Sequence, residues 1–379
     1  MSAAPPRIRL AALFEQGQAA LADRYGHRLR AHQRQAMHAI LACRSGVLGT
    51  FDWQCPDCDT HRATPRSCGH RHCPACQNHS TTQWLERQRG KLLPVDYFRV
   101  TFTLPAELRP LAHAQPGVVY AALMRAAADT LTGFAERKLH ARIGQCAVLH
   151  THTRRLDLHP HVHVVVPGGG IDEKRRCWRA LRGTYLFNVF ALARVFRAKL
   201  LRALTDAGLI LPIGVPTRWV VDCRNVGRGE HALQYLSRYL YRGVIREHDL
   251  IDHDPARGTV TFRYRDAQTR TDATRTLPIA DFLWHVLLHV LPSGLRRVRE
   301  YGFLHGKAKT RLTLVQLILH VQVDRACSTR DQVAAARDLS LAARHSVTHQ
   351  QAQGSNERLT TRGHAPFETP MRGPECRAR

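Results

Sequence analysis

The sequence predicts an α+β chain: a central antiparallel sheet of about four or five strands flanked by helices, preceded by a helical segment and a small cysteine-rich module. Three observations lead there. Apolar and polar residues alternate over 97–105 and 145–153, and a histidine run at 158–166 keeps the same period. Apolar residues recur at helical spacing over 118–143, 189–204 and 281–291. Two Cys-x-x-Cys pairs stand ahead of the first strand.

From the N-terminus, Leu10, Leu13, Phe14, Ala20 and Leu21 recur at helix spacing, and His32 to Cys43 repeats the pattern with Met37, Ile40 and Leu41. These helices are expected to pack against the segments downstream of them. Next come Cys55-Pro-Asp-Cys58 and Cys73-Pro-Ala-Cys76 with fourteen residues between them. That spacing fits a zinc ribbon, in which four thiolates close a structural site and leave no position open for chemistry. Cys68, His70 and His72 lie between the pairs and are possible substitute ligands. Arg62, Arg66 and Arg71 make the module basic.

A helix is expected over 84–93 and a strand over Tyr97 to Pro105, rich in aromatic and β-branched residues. The helix of 118–143 leads to a strand over 145–153. A short connection joins it to Leu158-His-Pro-His-Val-His-Val-Val-Val166, so these two strands should pair antiparallel. His159, His161 and His163 share one face if the pleat survives Pro160, while Val162, Val164 and Val166 bury on the other. Neutral imidazole is the commonest metal ligand, so His161 and His163 read as half of a divalent-ion site. His150 and His152 share a face of the neighbouring strand; either could approach the metal, though a solvent-facing role is expected of each. Pro167-Gly-Gly-Gly170 lacks the Lys-Ser/Thr of a phosphate loop and reads as a flexible turn.

Downstream, 218–222 reads as a short strand. On a helix over 233–242, Tyr235 and Tyr239 stack four residues apart, as do Arg238 and Arg242, spaced to steady a phosphate. Beyond it lie a strand over 259–264 and an apolar helix over 281–291, then a basic cluster, Arg296, Arg297 and Arg299, expected to touch DNA phosphates. The organisation read from this is a helical segment (1–50), a zinc module (51–92), a catalytic domain (93–310), a C-terminal helix (311–340) and a basic, disordered tail (341–379).

Composition narrows the partners. The chain carries 56 basic against 30 acidic residues, a formal net charge of +26, and lysine occurs only six times. An arginine excess of that size points to a polyanion, and with no apolar run fit to span or line a membrane the polyanion is nucleic acid. No signal peptide is recognisable at the N-terminus, so the chain is expected in the cytoplasm, where its eleven cysteines form no disulfide scaffold. The chemistry that fits is phosphodiester cleavage. Charge on the non-bridging oxygens would come from a Mg²⁺ or Mn²⁺ ion on the imidazoles, and a tyrosine oxygen would be the nucleophile.

The His-hydrophobe-His strand followed by Tyr235-Leu-Ser-Arg-Tyr239 resembles the HUH endonucleases. With the cysteine module in front, and with Phe102-Thr-Leu-Pro105, Val148-Leu-His-Thr151, His289-Val-Leu-Pro292 and Arg299-Glu-Tyr-Gly-Phe-Leu304 in order, the chain resembles the zinc-bearing, two-tyrosine rolling-circle transposases of bacterial insertion sequences. The likeness spans about 30–310. It implies an HUH-like fold and single-stranded nicking and joining at insertion-sequence ends through a 5′-phosphotyrosine. His161 and His163 become metal ligands, Tyr235 and Tyr239 nucleophiles, and His159 or Gln234 the third ligand. The same chemistry serves replication initiators and relaxases, and a non-catalytic zinc protein that binds DNA is the reading from another class. Oligomeric state, the terminus recognised and the order of attack stay open.

Overall fold

The computed structural model describes residues 8–55, 58, 60–181, 186–229, 231, 244–266 and 269–321, with 77–81 described by backbone alone. At its centre is a five-stranded antiparallel sheet. Its strands are β3 (Asp96–Thr103), β4 (Gly144–His152), β5 (Leu158–Pro167), β8 (Val221–Arg228) and β12 (Val298–Gly302), in the spatial order β12-β4-β5-β3-β8. The α+β expectation and the pairing of the histidine strand with its neighbour both hold.

Alternation sorts the sheet's two faces. Phe98, Val100 and Phe102 of β3, Ala147 and Leu149 of β4, and Val162, Val164 and Val166 of β5 form one face. They are buried against α5 (Pro116–Leu139) and α6 (Val189–Asp206). Pro116 opens α5, where its fixed φ and missing N–H cost nothing. Asn188 caps α6 by accepting from the Ala191 N–H at 3.0 Å. The opposite face is apolar only at one end, where Cys146, Val148 and Val165 meet Trp84 of α3 (Gln77–Arg89) and Val315 of α8 (Lys309–Ile318). Its other end carries the histidines.

A second core joins the N-terminal helices α1 (Leu10–Tyr25) and α2 (Ala31–Ala42) to α7 (Ile279–Leu287). A separate sheet of β9 (Leu250–Asp254), β10 (Thr259–Arg265) and β11 (Asp272–Pro278) belongs to the same core. Gln33 fastens this corner: its Oε1 accepts from the Arg30 N–H at 2.9 Å and its Nε2 donates to the Leu287 carbonyl at 2.8 Å. The described residues fall within one compact unit, Met1–Val323, and none of their helices is long and apolar enough to cross a membrane.

Two expectations change. The Gly168–Gly170 segment is no flexible turn: β6 (Gly169–Asp172) pairs with β7 (Cys177–Ala180), and all three glycines are buried. A Cβ on Gly170 would stand 2.7 Å from the Arg142 carbonyl, so close backbone packing, not mobility, selects glycine there. The strand expected at 218–222 begins at Val221 and runs to Arg228, completing the sheet edge.

Candidate metal centres and nucleic-acid site

His161 and His163 lie two residues apart on β5, on the face opposite the valines. Their third partner comes from β4: His150 is the cross-strand neighbour of His161. Single ligand nitrogens of His150, His161 and His163 all lie within 4.8 Å of one another. The rings meet edge-on, with centroids 5.2 Å (150–161), 4.7 Å (150–163) and 4.8 Å (161–163) apart. Edges turned together direct nitrogens at a common point, the arrangement that three-imidazole metal sites use.

Register explains why His150 joins and His159 does not. The ladder pairs His152 with Leu158 but His150 with His161, so His159 and Pro160 together stand against Thr151. Proline cannot donate to a ladder, and a two-for-one step is where a strand tolerates it. The step breaks the pleat at the place on which the three-histidine face depended. His159 keeps its ring 5.3 Å from that of His161 but falls outside the group, and its Nδ1 accepts from Arg109 Nη2 at 2.9 Å. Continued without the step, the register of His150 with His161 would pair His152 with His159 and keep His159 in line. His152, on the far side of the step, lies 5.0 Å from His289 between ring centroids.

The cluster's surroundings fix tautomers. His161 Nδ1 donates to the His159 carbonyl at 2.7 Å, which leaves Nε2 as the lone-pair nitrogen. His163 Nδ1 lies 2.9 Å from Thr101 Oγ1, its cross-strand neighbour on β3. Burial is the main cause that lowers the pKa of all three. His161 falls to about 4, His163 to about 2 and His150 well below its ordinary value, with Arg297 and the neighbouring imidazoles lowering His150 further. Neutral imidazoles are ready ligands. Beside them on the same face, Arg99 Nη2 donates to Asp222 Oδ2 at 2.7 Å.

A second cluster gathers the thiols of Cys43, Cys68, Cys73 and Cys76, again with all ligand atoms within 4.8 Å. Cys76 Sγ lies 3.6 Å from Cys43 Sγ and 3.7 Å from Cys68 Sγ. A tetrahedral zinc with Zn–S bonds near 2.3 Å needs sulfurs about 3.8 Å apart, so the donor set fits. The group overlaps only in part with the set read from the two Cys-x-x-Cys pairs. Cys73 and Cys76 take part, but Cys55 and Cys58 do not join the group. They sit at the far end of a hairpin, β1 (Thr50–Gln54) and β2 (His61–Pro65), whose last pair is Gln54 with His61. Cys43, at the end of α2, joins the group together with Cys68. The signal was the turn: a hairpin between 50 and 65 brings its flanks, not its tip, to Cys73 and Cys76.

His72 and Arg71 serve as clamps. His72 Nε2 accepts from the Leu291 N–H at 3.2 Å. Arg71 donates to the carbonyls of Leu295 (2.6 Å), Leu291 (2.9 Å) and Pro292 (2.7 Å).

Two family models match this chain: one described as "Putative transposase" (Y2_Tnp) over residues 144–311, and the IS91-type "Transposase zinc-binding domain" over 13–104. The chain is 38% identical over 317 residues to "Putative transposase y4qJ" of Sinorhizobium fredii, covering 75% of this chain and 79% of the relative. It is 31% identical over 297 residues to the transposase of insertion sequence IS801 from Pseudomonas savastanoi pv. phaseolicola, covering 74% and 72%. The chain belongs to this transposase family.

Among solved structures, the relaxase TrwC complexed with a 27-mer DNA comprising its recognition hairpin and cleavage site is 17% identical, over 60% of this chain and 75% of that one. Its TM-score is 0.25, too distant to transfer residue roles. In the transposase, Tyr235, Tyr239, Gln234, Arg238 and Arg242 lie outside the described residues. Of the basic cluster, Arg296 is exposed, and Arg297 donates through Nε to the Leu149 carbonyl at 3.3 Å, next to His150. Arg299 pairs with Ala147 across the ladder and so faces the helix side, beside Tyr301.

Proposed function

We propose that this transposase is an HUH-type enzyme that nicks and joins single-stranded DNA at the ends of an insertion sequence. A tyrosine oxygen, from Tyr235 or Tyr239, attacks the scissile phosphorus in line. The bond to the 3′ oxygen breaks, a free 3′ hydroxyl leaves, and the 5′ phosphate stays on the tyrosine. Attack by another 3′ hydroxyl reverses the step and joins strands. The observation that carries this reading is the convergence of His150, His161 and His163 from two adjacent strands in a chain of a transposase family.

On this reading the three imidazoles hold Mg²⁺ or Mn²⁺, which when bound neutralises charge on the phosphate oxygens. Nitrogen donors favour Mn²⁺ or a later transition ion over Mg²⁺. The chain's own part is orientation. The His159 carbonyl and Thr101 hydroxyl hold two rings with Nε2 forward, burial keeps all three neutral, and Arg297 and Arg99 add positive charge around a dianionic transition state. Cys43, Cys68, Cys73 and Cys76 hold a structural zinc in which every coordination position is filled by protein, so that site shapes and does not catalyse.

The test is a covalent adduct. Incubated with Mn²⁺ and a single-stranded hairpin oligonucleotide bearing the element's end, the chain should yield a protein–DNA species that maps to one tyrosine by mass spectrometry. Tyr235→Phe and Tyr239→Phe should abolish it singly or together. Nicking that persists in the double variant would end the covalent mechanism.

A further inference from the structure

The hairpin of β1 and β2 takes no part in either metal cluster, yet it is built as a display. Every residue of the two strands except Thr64 is exposed, so neither face is covered. A two-stranded ribbon without a core is marginal in water. This one is closed at its base. Cys43 and Cys68 flank it and both meet Cys76, while Arg44 N–H donates to the Arg66 carbonyl at 3.1 Å and Arg66 N–H to the Gly49 carbonyl at 3.0 Å.

What the ribbon displays is aromatic and basic. Phe51 and Trp53 lie on the same face of β1, beside their cross-strand partners Thr64 and Arg62. They are 43% and 59% exposed. The Arg66 guanidinium stands 4.7 Å over the Phe51 ring centroid. Asp52, the acidic residue among the ribbon's described positions, alternates to the opposite face. Open rings interleaved with arginines combine a stacking surface for bases with charge for phosphates. A duplex offers no free base faces, and an uncharged protein partner would leave the arginines unanswered in a chain of net charge +26.

We infer that the β1–β2 ribbon is a stacking site for single-stranded DNA, with unpaired bases on Trp53 and Phe51 and phosphates on Arg62 and Arg66. It rests on the proposal that the chain works on single strands, and adds a contact outside the imidazole cluster. The zinc site acquires a purpose here: the cysteines at the base give a coreless ribbon its shape.

The reporter is built in. Trp84, Trp219 and Trp284 are 7%, 8% and 5% exposed and Trp178 is half-buried, so Trp53 is the tryptophan a base can reach. Full-length zinc-loaded protein is titrated with a thymidine 20-mer, and separately with a duplex of equal length, while tryptophan emission is followed. Quenching by the single strand is expected, and Trp53→Phe should remove it while binding persists. The Phe51→Ala/Trp53→Ala variant, with zinc content and circular dichroism as wild type, should bind the single strand at least ~10-fold more weakly, given what one stacked base contributes. Its duplex affinity should stay unchanged. Binding without quenching, wild-type affinity in the double variant, or an equal loss on duplex would each overturn the inference. So would a dimer that the double substitution dissociates, since a second copy would then be the occupant. The adduct assay reads the tyrosine mechanism separately, so either idea can fail with the other intact.

Discussion

His150 stands directly across the antiparallel ladder from His161, and just beyond that pair the register steps, with His159 and Pro160 together opposing Thr151. One extra residue in β5 decides which histidines share a face. His150→Ala should therefore lose Mn²⁺ binding and nicking together, as His161→Ala and His163→Ala should. His159→Ala should keep both. Titration calorimetry with Mn²⁺ on the four variants checks this, and a His159 variant that loses the ion while the His150 variant keeps it would reverse the assignment.

Thr101 touches the centre only through His163, at 2.9 Å from its Nδ1. Such supporting partners are worth about 10–100-fold in metal affinity. Thr101→Val, nearly the same shape, should weaken Mn²⁺ binding within that range without changing thermal stability of the metal-free chain by more than ~1 kcal/mol. Thr101→Ser should restore the affinity. An unchanged dissociation constant in the valine variant would leave the hydroxyl without a role.

Zinc retention separates the cysteines. Cys43→Ser, Cys68→Ser, Cys73→Ser and Cys76→Ser should each release zinc, read by a colorimetric chelator after gel filtration, whereas Cys55→Ser/Cys58→Ser should retain it. The opposite partition would restore the set suggested by the paired Cys-x-x-Cys spacing.

Much of this was legible in the sequence, and the part that was not has a physical cause. Period-two alternation placed β3, β4 and β5 and assigned Val162, Val164 and Val166 to the core, because one face of each strand had to be apolar. His150 could be named only as one of two histidines able to approach the metal, because alternation says which residues share a face within a strand and nothing about registration between strands. Pro160 was the visible warning that the ladder would slip. Cys43 escaped for a related reason: ligand spacing was read along the chain, while the hairpin of 50–65 folds the chain back and brings distant flanks together. The glycine run at 168–170 looked mobile because composition cannot report how closely another backbone approaches.

Acid should weaken the fold. His289 is fully enclosed, its Nε2 donates to the Leu156 carbonyl at 3.0 Å, and burial lowers its pKa to about 4. A folded pKa below the unfolded value near 6.5 means the unfolded chain binds more protons between those limits. Stability is then flat above about pH 6.5 and declines as pH falls towards 4, by about 2 kcal/mol at pH 5 from this residue alone. Urea unfolding at pH 7, 6 and 5 measures the slope. His289→Gln, which keeps a donor but cannot take the proton, should flatten it by about that amount, and an unchanged slope would assign the acid sensitivity elsewhere.

Arg71 links the cysteine loop to the segment that enters β12. Its guanidinium donates to three carbonyls, of Leu291, Pro292 and Leu295, and two residues beyond Leu295 the Arg297 carbonyl accepts from the Leu149 N–H, beside His150. The cysteine module is thus fastened to the segment that pairs with β4 beside His150. Arg71→Ala leaves three carbonyls short of a charged donor and should cost about 3 kcal/mol. Arg71→Lys should recover only part, since an ammonium cannot reproduce the planar fork. Zinc content should survive in both variants while Mn²⁺ affinity at the imidazoles falls in the alanine variant. Calorimetric unfolding and Mn²⁺ titration of the two proteins decide it, and a chain that loses stability with Mn²⁺ affinity intact would show that the clamp serves folding only.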